Sequence, residues 1–190
     1  MISICQARKE DASVIARLII EAMTVECCEH FYGARFTIDD FAVFMESLVR
    51  REDTQYSYVN TAVAKNEHNE VIGAVVSYNG ADLHRLREPF LQGMRQHFQR
   101  DIQNIPDETQ AGELYIDSLA VNPAYRKMGI GTQLLQSTFQ KARDLKINCV
   151  GLLVDYNNEK AAQLYTALGF QPVNDASWGG HPMKHLQINV

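Results

Sequence analysis

The stretch from Leu114 to Leu145 constrains this chain more than any other part of it. An apolar run, Leu114 to Val121, ends at Asn122-Pro123. Arg126-Lys127-Met128-Gly129-Ile130-Gly131-Thr132 follows. From Gly129 onward Ile130, Leu134, Leu135, Thr138, Phe139, Ala142 and Leu145 recur at helical spacing. This predicts a strand that feeds an amphipathic helix through a glycine-bearing turn. The first N–H groups of such a helix have no internal partner, and the macrodipole adds partial positive charge there. A helix start of this kind favours a phosphate or diphosphate. Gly129 and Gly131 would let the ligand approach the backbone, and Arg126 and Lys127 would add positive charge. The bland alternative is that the glycines only relieve a tight turn. The stretch lacks G-x-x-x-x-G-K-[ST] and G-x-G-x-x-G, which argues against a Walker-type NTPase and a dinucleotide-binding unit.

The rest of the chain gives the fold class. Ile2 to Ala7 reads as a strand. Asp11 is a candidate N-cap for a helix with Val14, Ile15, Leu18, Ile19 and Ala22 on its apolar stripe. Thr37-Ile38-Asp39-Asp40 resembles a capping box that opens a second helix. Tyr58 to Ala64 and Val71 to Tyr78 read as an antiparallel hairpin across Glu67-His68-Asn69-Glu70. A segment from Asp82 to about Asp101 has helical period, with Pro89 expected to kink or restart it. Asn104 to Gly112 is a polar link. Cys149 to Val154 is a nearly all-apolar strand, as expected where both faces are covered. Glu159 to Leu168 is a short helix stopped by Gly169. Phe170 to Val173 and Met183 to Ile188 are closing strands, joined by a loop that holds Trp178-Gly179-Gly180. The expectation is one α/β domain spanning 1–190. It has a mixed, mostly antiparallel sheet of six to seven strands flanked by helices, with a helical insert at about 82–112 before the central strand.

Composition removes several classes. The formal net charge of -5 argues against nucleic acid as a partner, since neutralising phosphates needs clustered Lys and Arg. No apolar run approaches ~18 residues, so no membrane span is expected, and Met1 to Lys9 holds no apolar signal core. Cys5, Cys27, Cys28 and Cys149 form no C-x-x-C pair. They read as reduced thiols, consistent with a cytoplasmic protein. His181 and His185 lie in or near a strand, so no helical metal pair is formed and no metal is expected.

Leu119-Ala120-Val121-Asn122-Pro123 followed by Arg126-Lys127-Met128-Gly129-Ile130-Gly131 resembles the central acyl-CoA motif of GNAT-superfamily N-acetyltransferases. Asn158 to Phe170, with Tyr165 and Leu168-Gly169-Phe170, resembles their second motif. The two motifs cover roughly 113–170, while the first half matches only in element order. The resemblance implies a GNAT-like fold in which the strand at Leu114 to Val121 splays from the strand at Cys149 to Val154. It implies that acetyl-CoA, as co-substrate, lies in that cleft. Its pantetheine arm would run along Leu119, Ala120 and Val121. Its diphosphate would sit over Arg126, Lys127, Met128, Gly129, Ile130, Gly131 and Thr132. Asn158, Ala161 and Tyr165 would line its other side.

Acetylating an amine requires a neutral amine, a polarised carbonyl and a thiolate able to leave. Tyr165 is the candidate acid, because it stands at the family's tyrosine position. Its alternative is packing against the core or the cofactor. Glu113 and Asp117 are candidate bases. Strand alternation turns Glu113, Tyr115 and Asp117 to one face, and a carboxylate at Asp117 in an apolar strand is costly without a partner. Tyr115 and Trp178 are candidates for the acceptor pocket, with plain packing as the alternative for each. Arg85, Arg87, Arg95 and Arg100 give the insert a basic character that reads equally as a solvated face. The acceptor is a small-molecule or protein amine, and the apolar insert offers a homodimer contact. Two other readings compete with the enzyme. One is a non-catalytic acyl-CoA-binding regulatory domain, and the other is an enzyme of nucleotide or phosphate metabolites.

Overall fold

The computed structural model describes residues 2–190. In chain order it has β1 (Ser3–Gln6), α1 (Ala12–Met23), α2 (Val25–Tyr32), α3 (Ile38–Val49), β2 (Thr61–Lys65), β3 (Val71–Asn79) and α4 (Leu83–Phe98). These are followed by β4 (Leu114–Val121), α5 (Ile130–Asp144), β5 (Cys149–Asp155), α6 (Glu159–Ala167), β6 (Gln171–Trp178) and β7 (His181–Asn189). The seven strands form one sheet in the order β1-β2-β3-β4-β5-β7-β6. Every neighbouring pair is antiparallel except β4–β5, which is parallel. The expected mixed α/β class is therefore found, with seven strands.

The helices cover both faces. On one face Ile15 and Ile19 of α1, Phe31 of α2, Phe41 and Met45 of α3, and Phe90 and Met94 of α4 pack in a cluster that includes Val63, Ala74 and Val76. On the other face Ile130, Leu134 and Leu135 of α5 and Tyr165 of α6 pack with Val75, Ile116, Val150 and Leu152. Val150, Leu152 and Val154 of β5 are buried in this second cluster, while on its other face Gly151 is buried and Cys149 and Leu153 are half-buried.

Local signals were followed where neighbouring residues satisfy them. Thr37 caps α3 reciprocally: Asp40 N donates to Thr37 Oγ1 (3.2 Å) and Thr37 N donates to Asp40 Oδ2 (2.8 Å). Other expectations need correction. Asp11 does not cap α1 with its side chain; it accepts from Arg8 N (2.9 Å) and pairs with Lys65 (2.9 Å). Val14 and Leu145 are exposed, not on the buried stripes. The first region is broken at Thr24, whose φ of 70° separates α1 from α2. Tyr58–Asn60 is a 3-10 turn, so β2 begins at Thr61. Pro89 lies inside a continuous α4, because burial of Phe90, Met94 and Phe98 outweighs its missing N–H. The segment around Trp178 is strand, and β6 and β7 join through Gly179 (φ 55°) and Gly180 (φ 82°). Two successive residues at positive φ suit a two-residue hairpin turn.

One irregularity shapes the centre. Between Ser77↔Ile116 and Val76↔Ser118 the β3–β4 register shifts, so Asp117 is an extra residue on β4. A β-bulge of this kind bends its strand and raises local twist. The β4–β5 pairing runs only through Leu114↔Val150, Tyr115↔Gly151 and Ile116↔Leu152. β4 continues to Val121 and β5 to Asp155, so the two strands part beyond Ile116.

α3 and α4 meet at Gly93, where an added Cβ would overlap the ring of buried Phe44. Gly93→Ala is expected to destabilise the fold by about 1–3 kcal/mol through overpacking, lowering the thermal unfolding midpoint by several degrees. An unchanged midpoint would show that the two helices separate freely.

Candidate active site

The parting of β4 and β5 leaves a groove between them, and the turn after β4 lies at its open end. Lys127 (φ 62°) and Gly129 (φ 75°) reverse the chain into α5. No side chain caps this helix, and its first backbone bond from within the helix runs from Gln133 N to Gly129 O (3.1 Å). The amides of Ile130, Gly131 and Thr132 thus precede the helical ladder. A Cβ on Gly129 would meet nothing within 4 Å, and one on Gly131 would meet only Leu164 at 3.8 Å. The space before the helix is open, and its amides are unscreened by side chains. This donor set fits a diphosphate.

The cationic residues of the turn are arranged unequally. Arg126 Nε donates to the Val121 carbonyl (3.0 Å), and its guanidinium pairs with Glu21 of α1. Arg126 therefore ties the turn to α1, while Lys127 and Met128 stand exposed. Leu119 and Val121 are partly buried against the α5 side, and Ala120 belongs to the opposite cluster.

Across the groove Asn158 caps α6, accepting from Ala161 N (3.2 Å). Ala161 packs partly buried beneath it. Tyr165 is 8% exposed and stacks edge-on with Phe170 at 5.6 Å. Burial pushes its phenol up to about 12. Its hydroxyl has no hydrogen-bond partner among the described residues.

The two acidic candidates, Glu113 immediately before β4 and Asp117 within it, differ sharply. Glu113 accepts from Thr109 Oγ1 (2.6 Å), Gln110 N (3.4 Å), His185 Nε2 (2.9 Å) and Gln187 Nε2 (2.8 Å). Burial raises its pKa, but the bonds from His185, Thr109 and Gln187 outweigh burial and leave it below its ordinary value. A Cβ on Gly151 would overlap this carboxylate, so β5 makes room for it. His185 Nδ1 in turn lies 3.2 Å from Asn174 Oδ1. Asp117 accepts only from Ser118 Oγ (2.8 Å) and Gln55 Nε2 (2.9 Å). Burial pushes it up to about 6 against those two bonds and the Arg87 charge.

Three residues in this pocket were not singled out as site residues from the sequence. Gln55 Nε2 also reaches Glu108 Oε1 (3.4 Å), so one amide bridges two carboxylates. Glu108 pairs with Arg87 and accepts from Tyr78 OH (3.1 Å). Burial raises Glu108 to about 7 even though Arg87 opposes the shift. Gln55 Oε1 and Arg87 Nε are buried without a hydrogen-bond partner, an unusual condition for buried polar atoms. The polar 104–112 link is thus partly interior, and Arg87 does not lie on a solvated face. Helical spacing held a signal for Arg87, because it shares the stripe of Leu83, Leu86, Phe90 and Met94. Arg85, by contrast, pairs at the surface with Asp82 (3.0 Å). Tyr115 packs on Tyr78 at 5.7 Å. Trp178 leans on Phe31 and on the Arg87 guanidinium, each at 5.7 Å. His181 meets Asp155 at 3.4 Å.

The acetyltransferase (GNAT) family model matches residues 20–170. A solved structure described as an acetyltransferase is 28% identical, with TM-score 0.78 over 99% of each chain. An N-acetyltransferase from Staphylococcus aureus Mu50 is 27% identical, with TM-score 0.77 over 98% of this chain and 100% of the other. A NatC complex bound to Gag peptide and CoA is 16% identical, with TM-score 0.60 over 100% of this chain and 98% of the other, a likeness of fold alone. No curated protein matches the chain.

The raised Asp117 has a consequence for stability. Its folded pKa lies above its unfolded one, so its contribution is complete below about pH 4 and is lost as pH rises through about 6. Asp117→Asn is therefore expected to unfold at a higher temperature than the parent at pH 8, by on the order of 2 kcal/mol, with no such gain at pH 4. Equal melting at both pH values would show that the carboxylate is not held against its tendency to ionise.

Proposed function

This chain belongs to the acetyltransferase (GNAT) family, and on that premise we propose that it transfers an acetyl group from acetyl-CoA to a primary amine by direct attack in a ternary complex. One observation carries the reading: β4 and β5 part beyond Ile116, so the unladdered amides of α5 and the Asp117 carboxylate flank one opening. Acetyl-CoA, when bound, supplies the thioester whose acetyl group is transferred. The amides of Ile130, Gly131 and Thr132 hold its diphosphate, with Lys127 adding charge. The freed edge of β4 at Leu119, Ala120 and Val121 aligns the pantetheine arm, and Ala161 and Tyr165 wall the other side.

Asp117 is the general base in this reading. A carboxyl titrating near 6 is ionised at neutral pH and accepts a proton more readily than an ordinary aspartate does. Glu113 accepts four hydrogen bonds, so it is assigned a positioning role at the closed end of the groove. Tyr165 is the general acid. Burial keeps its hydroxyl protonated, which suits a group that donates a proton to a departing thiolate. The cytoplasm, as a reducing compartment, belongs to the same reading and is supported by four free cysteines, two of them buried.

The test is acetyl transfer from acetyl-CoA across a diverse amine library, read by release of free thiol. Turnover is expected, with kcat/KM rising through a midpoint near pH 6. Asp117→Asn is expected to lose about 10²–10⁴-fold in kcat and to lose that limb. Binding of acetyl-CoA without thiol release for any amine would instead favour the regulatory acyl-CoA-binding domain. For Tyr165→Phe, kcat is expected to fall by about 10²-fold or more with cofactor affinity nearly kept. Unchanged kcat with weakened affinity would remove the acid role.

A further inference from the structure

On the α5 side of the sheet, one lysine is partly buried without a counter-charge. Lys141 Nζ donates to the Ser77 carbonyl (2.6 Å) and to Ser77 Oγ (3.1 Å). Among the described residues it forms no ion pair. It lines a cavity of about 220 Å³ with Ile4, Cys5 and Gln6 of β1, Ala62 of β2, and Ser137 and Thr138 of α5.

The hydroxyls of Ser137 and Thr138 and the amide N–H groups of Gln6 on this wall are engaged elsewhere. Ser137 Oγ and Thr138 Oγ1 donate to the Leu134 carbonyl (2.7 and 3.2 Å). Gln6 Nε2 donates to the Tyr58 and Thr61 carbonyls (2.7 and 2.9 Å). The only other titratable group on the wall is the Cys5 thiol. Nothing there neutralises an ammonium, and taking one out of water unpaired is costly. Burial alone pushes Lys141 down to about 8.

We propose that Lys141 is an acylation site whose neutral amine attacks the carbonyl of an acyl thioester. A C–N bond forms as the C–S bond breaks. The thiolate leaves with the bonding pair, and the amine's surplus proton passes through solvent to the thiolate. The products are an amide and a free thiol. That acetyl-CoA is the donor rests on the function proposed above; the nucleophile and its cavity do not. The cavity has room for an acetyl group, which fills roughly two water volumes of ~30 Å³ each. The amide keeps one N–H to donate to the Ser77 carbonyl, and the unpaired charge is gone. Ser77 is the β3 residue at the register shift beside the Asp117 bulge, so the modified side chain would hold the strand behind the acceptor face.

An amine titrating near 8 is neutral about two hundred times more often at pH 7.5 than an ordinary lysine amine. Partial shielding lowers that advantage. In the unmodified full chain, Lys141 is therefore expected to acetylate about tenfold faster than the exposed Lys9 and Lys146. The donors are acetyl-CoA and, separately, the acetyl thioester of a short thiol without a nucleotide. Proteolytic peptides are quantified by mass spectrometry over a pH series. The Lys141 rate is expected to level off with a midpoint near pH 8. A Lys141 rate equal to or below those of Lys9 and Lys146, or a midpoint above pH 10, overturns the proposal. The short thioester needs no diphosphate cradle. A missing Lys141 adduct with that donor defeats this site even where amine acetylation succeeds, and the adduct upholds it even where that acetylation fails.

Discussion

The arrangement of this protein depends on one interrupted ladder. Two parallel strands at the centre of a sheet ordinarily stay paired along their length, because each unpaired buried N–H or carbonyl costs free energy. Here β4 and β5 pair at three positions and then separate. The bulge at Asp117 accompanies that separation, bending β4 while keeping its antiparallel pairing with β3 on the other edge. It also alters which residues share a face. Leu114 and Ile116 pack on the α5 side, and beyond the bulge it is Leu119 and Val121 that do so. Asp117 is thereby set where the two strands begin to part.

The closed end needs a reason to stay closed, and Glu113 supplies it. Its carboxylate joins the 109–110 link before β4 to His185 and Gln187 on β7, beneath a β5 position that only glycine leaves empty. The hydrogen bonds bring the acid below its ordinary pKa, so at neutral pH it is a fixed negative anchor. Four residues further along the chain, within β4, Asp117 is held the opposite way. Two hydrogen bonds do not offset its burial. One short stretch of chain thus carries two carboxylates, one fully engaged just before β4 and one within β4 whose pKa burial lifts to about 6. The difference comes from their partners rather than from their spacing.

The wall behind Asp117 extends this imbalance. Gln55 connects Asp117 to Glu108, and Glu108 faces Arg87, which also pairs with the half-exposed Asp107 (3.4 Å), so three acids surround one buried cation. Protonation of Asp117 or Glu108 changes the field at the other. Orphaned Gln55 Oε1 and Arg87 Nε mark the same region as incompletely satisfied. A fold that served stability alone would replace such a cluster with apolar packing.

Local chemistry in the sequence determined the parts that depend on nearby residues. The strand, turn and helix from Leu114 to Asp144 were legible from period and glycine placement, as were the Thr37–Asp40 cap and the helix that holds Tyr165. The second-motif residues came from the family resemblance rather than from the period of the chain. Tertiary structure decided the rest. Gln55 and Asp117 are 62 positions apart, and no local pattern announces that an amide in a loop will reach a strand carboxylate. Glu108 lies in a polar link that reads as surface until α4 covers it. Whether Glu113 or Asp117 stays free could not be read from their alternation, which treats them alike. Hydrogen-bond partners and desolvation separate the two acids, and both arise only when distant segments pack together.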